Sequence, residues 1–196
     1  MRNPSNIETV ASLHPDYMGF IFYKNSPRYV GDDFKLPEEY EATTTVGVFV
    51  NERTGEILKR LNDIKSNIAQ LHGNETPAQC DELRSRGIEV IKVFSVDEEF
   101  DFGKTKEYSD VANYFLFDTK GKLPGGNAKT FDWNLLGRYD RSIPFFLSGG
   151  LNPDNVKVLA RLDGMNIHAI DVNSGVEDEP GLKNIDKIKS VMSCLK

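Results

Sequence analysis

Cysteine is scarce: Cys80 and Cys194 are the two in 196 residues, and they form no CxxC pair. That spacing suggests no disulfide framework, and free thiols in a reducing compartment are the expectation. Histidine is equally thin. His14, His72 and His168 fall at no HxxxH or HxH spacing, so no metal site is expected. Basic charge is outnumbered, with 24 Lys and Arg against 30 Asp and Glu and a net charge of −6. This argues against a nucleic-acid partner, which usually calls for a basic excess. No apolar run approaches the roughly 20 residues that span a bilayer. The opening MRNPSNIETV has no charged-then-apolar leader pattern. The expectation is a cytoplasmic protein with no membrane partner. Linkers, low-complexity tracts and short internal repeats are also missing. With 39% hydrophobic and 28% charged residues, one domain over 1–196 with a single core is expected.

What is present is a regular alternation. Short apolar or β-branched runs begin at Tyr17, Thr44, Ile68, Val90, Tyr114, Pro144 and Ile167. Each is about 5–7 residues, as fits strands buried on both faces of a parallel sheet. Helical stretches lie between them: Pro4–Leu13 with Asn3 or Ser5 as cap, Gly55–Leu61 behind Asn51 or Thr54, Ala78–Ser85 behind Thr76-Pro77, a helix from Asn152-Pro153 to about Arg161, and a last helix after Pro180 or Asn184. Strand–helix alternation at this pace means βαβ units. Seven strands, with no glycine fingerprint after the first, fit an eight-stranded (β/α)8 TIM barrel better than a doubly wound sheet. A barrel helix follows a strand, so the missing strand is expected before Met1.

Barrel chemistry gathers at the C-terminal strand ends. After the first run, Arg28 sits in the loop Lys24–Val30 and is able to grip a carboxylate bidentately, or to stay a solvated surface residue. His72 ends Gln70-Leu71-His72-Gly73 and either orients substrate or is a hydrogen-bonded barrel histidine. Lys92 lies opposite Ile91 and Val93 in an extended run, pointing into the barrel or snorkelling. Asp118 closes the apolar run Phe115-Leu116-Phe117. A carboxyl there is a candidate general acid, because burial raises its pKa; the alternative is a cap or turn. Gly125-Gly126 suit a lid. Ser148-Gly149-Gly150 and Asp171-Val172-Asn173-Ser174-Gly175-Val176-Glu177 follow the last two strands, where barrels often bind phosphate on backbone amides. A small phosphorylated substrate is the expected partner, with tight turns as the plain alternative.

These motifs, in this order, resemble phosphoribosylanthranilate isomerase over nearly the whole chain. The residues that carry the resemblance are Gly19–Phe22 with Ser26-Pro27-Arg28-Tyr29-Val30, Val46–Asn51, Gln70–Gly73, Asp118, Gly125-Gly126 with Lys129–Trp133, Leu147–Pro153 and Asp171–Glu177. The resemblance implies an Amadori rearrangement in tryptophan biosynthesis, on a phosphorylated sugar and without cofactor or metal. It implies Asp118 as general acid and Arg28 at the anthranilate carboxylate. Gly149, Gly150, Ser174 and Gly175 become the phosphate loops, with His72 and Asp171 as further polar positions. The family's general base is a cysteine in Lys-[Ile/Val]-Cys-Gly at the end of the first strand, expected here upstream of Met1. Asn173 stands where the family commonly has serine, and Gly31–Thr43 is short for a second barrel helix. Other readings are a non-catalytic phosphate-binding barrel remnant, or another phosphosugar barrel enzyme. An epimerase's His pair and the Lys–Glu set of indole-glycerol-phosphate synthase are not evident.

Overall fold

The computed structural model describes residues 1–36, 43–120, 131–162 and 164–195. The strands are β1 (Tyr17–Ile21), β2 (Thr44–Phe49), β3 (Ile68–Leu71), β4 (Glu89–Val96), β5 (Tyr114–Thr119), β6 (Phe145–Leu147) and β7 (Ile167–Ile170). All seven are parallel and lie in chain order in one sheet. This is the β/α barrel expected, with seven parallel strands among the described residues. The sheet curls until its two edges meet through side chains. Tyr17 Oη lies 2.8 Å from His168 Nε2, and the Tyr17 ring packs edge-on against Phe146 with centroids 5.2 Å apart.

Alternation along the strands divides the apolar residues between two layers. Val46, Ile68, Ile91, Val93, Leu116 and Phe146 form the plug inside the curl. Their neighbours in sequence, such as Phe49, Leu71, Val90, Phe115, Phe117 and Phe145, face outward into the larger core shared with the helices. Lys92 belongs to that outer layer and is 2% exposed, so it neither points into the barrel nor snorkels: its ammonium is buried in an ion pair with Glu75.

The α-helices are α1 (Pro4–Ala11), α2 (Thr54–Asp63), α3 (Pro77–Ser85) and α4 (Ile185–Ser193). Three have a side-chain cap that satisfies an orphan first-turn amide. Asn3 accepts from Asn6 N, Thr76 from Gln79 N and Asn184 from Lys187 N. For α2 neither expected cap serves: Arg53 is the N-cap residue, without a side-chain bond. Asn51 instead takes a left-handed conformation at φ 53°, and its Oδ1 accepts from Asn74 N at 2.7 Å. Burial of Ile57 and Leu61 supports α2 in place of a cap.

The helix expected from Asn152 to about Arg161 is instead a 3-10 segment, Val156–Leu162. Side chains claim the backbone there. Asn152 Oδ1 accepts from Asp154 N and Asn155 N, while Asn155 bonds back to Asn152 N and Gly150 O. Such local bonds compete with the α-helical ladder. The other strand connections carry 3-10 turns at Phe102–Tyr108 and Trp133–Arg138. A small antiparallel pair, β8 (Glu177–Glu179) with β9 (Leu182–Lys183), precedes α4; the sequence reading did not anticipate it. Gly125-Gly126, where a lid was expected, and part of the Gly31–Thr43 connection lie outside the described residues.

Gly47 marks how tightly α2 sits on β2. A Cβ there would come within 2.7 Å of the Phe49 ring and 2.8 Å of Leu61, both fully buried. Gly47→Ala is expected to cost about 1–3 kcal/mol, the usual range for overpacking. At Gly19 the nearest atom would be 3.6 Å away, so Gly19→Ala should cost less. Urea midpoints of both variants against the parent measure the difference.

Candidate active site

The alternation that fills the plug also sets the rim. Two residues beyond Leu116 is Asp118; two beyond Phe146 is Ser148; two beyond Ala169 is Asp171; beyond Ile68 the same step passes Gln70 to His72. The strand ends therefore aim four polar side chains into one cavity of about 600 Å³, which Arg28, Gly149, Gly150, Ser174 and Gly175 also line. The eight residues to which the resemblance gives a role, Arg28, His72, Asp118, Gly149, Gly150, Asp171, Ser174 and Gly175, border this cavity; Lys92 does not.

Asp118 is 5% exposed. Its Oδ1 accepts from Thr119 N at 2.8 Å, and its Oδ2 lies 3.4 Å from His72 Nε2. That approach is too poorly aligned for a hydrogen bond, and His72 Nε2 has no bonding partner among the described residues. The other ring nitrogen, Nδ1, is 3.5 Å from Gln70 Nε2. Ser148 Oγ lies 3.4 Å from Asp171 Oδ2. Burial, and then the Asp118 charge beside it, push the Asp171 carboxyl above the ordinary carboxylate range, against the pull of Lys183 and His72.

The two glycine loops meet backbone to backbone. A Cβ on Gly175 would collide with the Leu151 carbonyl, and one on Gly149 with Thr119. Gly149 and Gly150 have φ of 98° and 68°, a region costly for residues with a Cβ. Among the described residues, the amides of Gly149, Gly150, Ser174 and Gly175 donate to no group of the chain. Four free amides beside one cavity make a cradle for an anion.

Arg28 is placed differently from a free surface arginine. It is 9% exposed, and its fork is already engaged. Nε lies 2.9 Å and Nη2 2.7 Å from Glu177 Oε2. Glu177 also accepts from Lys183 Nζ and Gly181 N, each at 3.1 Å. Burial pushes Glu177 up, but the Arg28 hydrogen bonds and the Lys183 charge outweigh it and hold the carboxyl below its usual range. Lys183 in turn grips Asn173 O at 3.0 Å and Asn173 Oδ1 at 2.7 Å, just ahead of Ser174. Glu177 and Lys183 had no assigned role in the sequence. Glu177 ends a motif already quoted, whereas Lys183 had no signal, because its position depends on β9.

The two cysteines lie away from this rim. Cys80 is buried in α3, and burial pushes its thiol up to about 11. Cys194 is exposed at the end of α4. Among the described residues no group of three His, Cys, Asp or Glu is arranged to hold a metal, and no helix is long and apolar enough to cross a membrane.

A family model described as N-(5'-phosphoribosyl)anthranilate (PRA) isomerase matches residues 1–193. The chain belongs to that isomerase family. Isomerases so named from Parabacteroides distasonis and Phocaeicola vulgatus are 43% and 42% identical to it. The first match covers 97% of this chain and 88% of the relative, the second 100% and 95%. The solved phosphoribosylanthranilate isomerase of Thermotoga maritima superposes with a TM-score of 0.83 at 35% identity, over 99% of this chain and 94% of that one. The family places the chain in tryptophan biosynthesis, and its β/α barrel is the isomerase fold.

Asp171 gives the site a pH signature. A carboxyl whose folded pKa is raised resists ionisation in the folded state. Its stabilising contribution is present at low pH and is lost as pH rises from the unfolded value through the raised one. Asp171→Asn removes that penalty. Its melting temperature is expected to exceed the parent's at pH 8, with the advantage vanishing near pH 4. An advantage that is the same at both pH values would contradict the assignment.

Proposed function

We propose that the reaction this barrel serves is the isomerisation of N-(5'-phosphoribosyl)anthranilate to 1-(2-carboxyphenylamino)-1-deoxyribulose 5-phosphate, with Asp118 as general acid. The observation that carries this is a recessed carboxyl at the end of β5, beside His72, in the same cavity as four unengaged backbone amides. The amides of Gly149, Gly150, Ser174 and Gly175 take the phosphate. Asp118 protonates the furanose ring oxygen as its bond to C1 breaks, and the anthranilate nitrogen lone pair closes a C=N bond at C1. Loss of the C2 proton to a base then gives the enolamine, which tautomerises to the ketone. Arg28 meets the anthranilate carboxylate. Because Nε and Nη2 are held by Glu177, it does so through Nη1, as a single rather than a forked contact. A solved isomerase bound to reduced 1-(o-carboxyphenylamino)-1-deoxyribulose 5-phosphate supports this reading. It is 34% identical, with a TM-score of 0.80 over 98% of this chain and 93% of that one.

The base is the part of the reaction with no candidate thiol at the described rim. The family resemblance implies a cysteine in a Lys-[Ile/Val]-Cys-Gly motif for that role. A non-catalytic phosphate-binding barrel is the second reading. Turnover distinguishes them. The 196-residue chain alone should be nearly inactive, and the same chain with a Lys-Val-Cys-Gly strand ahead of Met1 should turn over and melt at a higher temperature. No turnover by the extended chain would favour the second reading; equal turnover by both would place the base within residues 1–196. In the active form, Asp118→Asn should lower kcat by about two orders of magnitude or more, the range of general acid catalysis. A normal kcat would remove Asp118 from its role.

A further inference from the structure

We infer that Lys92 and Glu75, neither of which lines the cavity, are positioning residues that hold His72 against Asp118. The inference rests on the assignment of Asp118 above. Lys92 points away from the barrel interior, and its ammonium donates three bonds: to Leu71 O at 3.1 Å, Gly73 O at 2.8 Å and Glu75 Oε2 at 3.0 Å. The two carbonyls are those of the residues on either side of His72. Glu75 completes the clasp from the donor side. It accepts from Gly73 N at 2.9 Å and, through Oε1, from Asn51 N at 2.8 Å. Tyr108 Oη fixes Glu75 in turn, donating to its carbonyl at 3.0 Å. His72 N itself donates to Phe49 O at 2.8 Å.

The backbone around His72 is therefore tied down while the imidazole is not: neither ring nitrogen has a partner closer than 3.4 Å. A ring so weakly held by its own contacts takes its position from its backbone. Side-chain exposures of 3% for Lys92 and 0% for Glu75 make this a fully buried ion pair. Desolvating two charges costs several kcal/mol, and apolar replacements are often as stable, so stability alone is a poor reason for such a pair. Its bonds converge on the βα loop that carries His72, three strands from the phosphate cradle. The clasp acts on the acid end of the site and leaves the phosphate end alone.

The test compares Lys92→Met and the double variant Lys92→Met/Glu75→Gln with the parent 196-residue protein. Three quantities are read: the NMR signals of the histidine rings, the affinity for inorganic phosphate, and the affinity for reduced 1-(o-carboxyphenylamino)-1-deoxyribulose 5-phosphate. The inference expects the His72 ring signals to move or broaden in both variants while those of His14 and His168 stay. It expects affinity for the reduced analogue to fall roughly tenfold and affinity for phosphate to hold within about twofold, as for a distant independent site. Unmoved His72 signals would overturn it, as would an equal loss of both affinities or loss of fold in both variants, since these mark a merely structural pair. If the parent binds phosphate but not the analogue, the proposed substrate fails, and the His72 signals still decide the positioning role.

Discussion

Everything functional in this molecule hangs on the period-two alternation of strands that must be buried on both faces. One set of side chains fills the barrel and the other meets the helices. The inward set ends at the C-terminal rim, where the plug residues Leu116, Phe146 and Ala169 are followed two positions on by Asp118, Ser148 and Asp171. A one-residue slip in any strand would turn its polar rim residue toward the helices, where an unpaired carboxylate has no partner. The hydrophobic plug thus specifies the geometry of the polar rim as well as the core.

The rim then faces a charge problem. Asp118 and Asp171 share a low-dielectric cavity, and their mutual repulsion adds to burial in disfavouring ionisation of Asp171. Positive charge is supplied indirectly. Arg28 and Lys183 both converge on Glu177, two cations around one anion, which leaves one formal positive charge beside the cavity. Fully hydrogen-bonded, such a cluster is tolerable where a lone buried charge is not. It also ties the loop after β1 to the turn that leads into Ser174-Gly175. The cluster therefore sets positive charge against the rim carboxylates of an acidic chain, which its net charge does not reveal.

The two glycine loops work by subtraction. Gly175 has no room for a side chain beside Leu151, and Gly149 and Gly150 adopt positive φ. The result is two closely packed backbone loops whose residues line the cavity. Local side-chain bonding from Asn152 and Asn155 holds the first loop and replaces the α-helix that the sequence pattern suggested with a 3-10 segment.

The sequence by itself determined the seven strand positions, the parallel order implied by strand–helix alternation, and the identity of the rim residues, because burial and period-two alternation are written locally in each run. Its motifs were dense enough to mark the family. Tertiary structure alone decided what those residues touch. Arg28 was legible as a carboxylate-gripping residue, yet the carboxylate in its fork is Glu177, 149 positions away. Lys92 was ambiguous until the curl of the sheet set its face, and its partners lie on another strand's loop. Lys183 and β9 were invisible, since two residues of strand carry no periodicity. Propensity and alternation act over a few neighbours, whereas ion pairs, loop packing and the meeting of Tyr17 with His168 join segments that only the folded chain brings together.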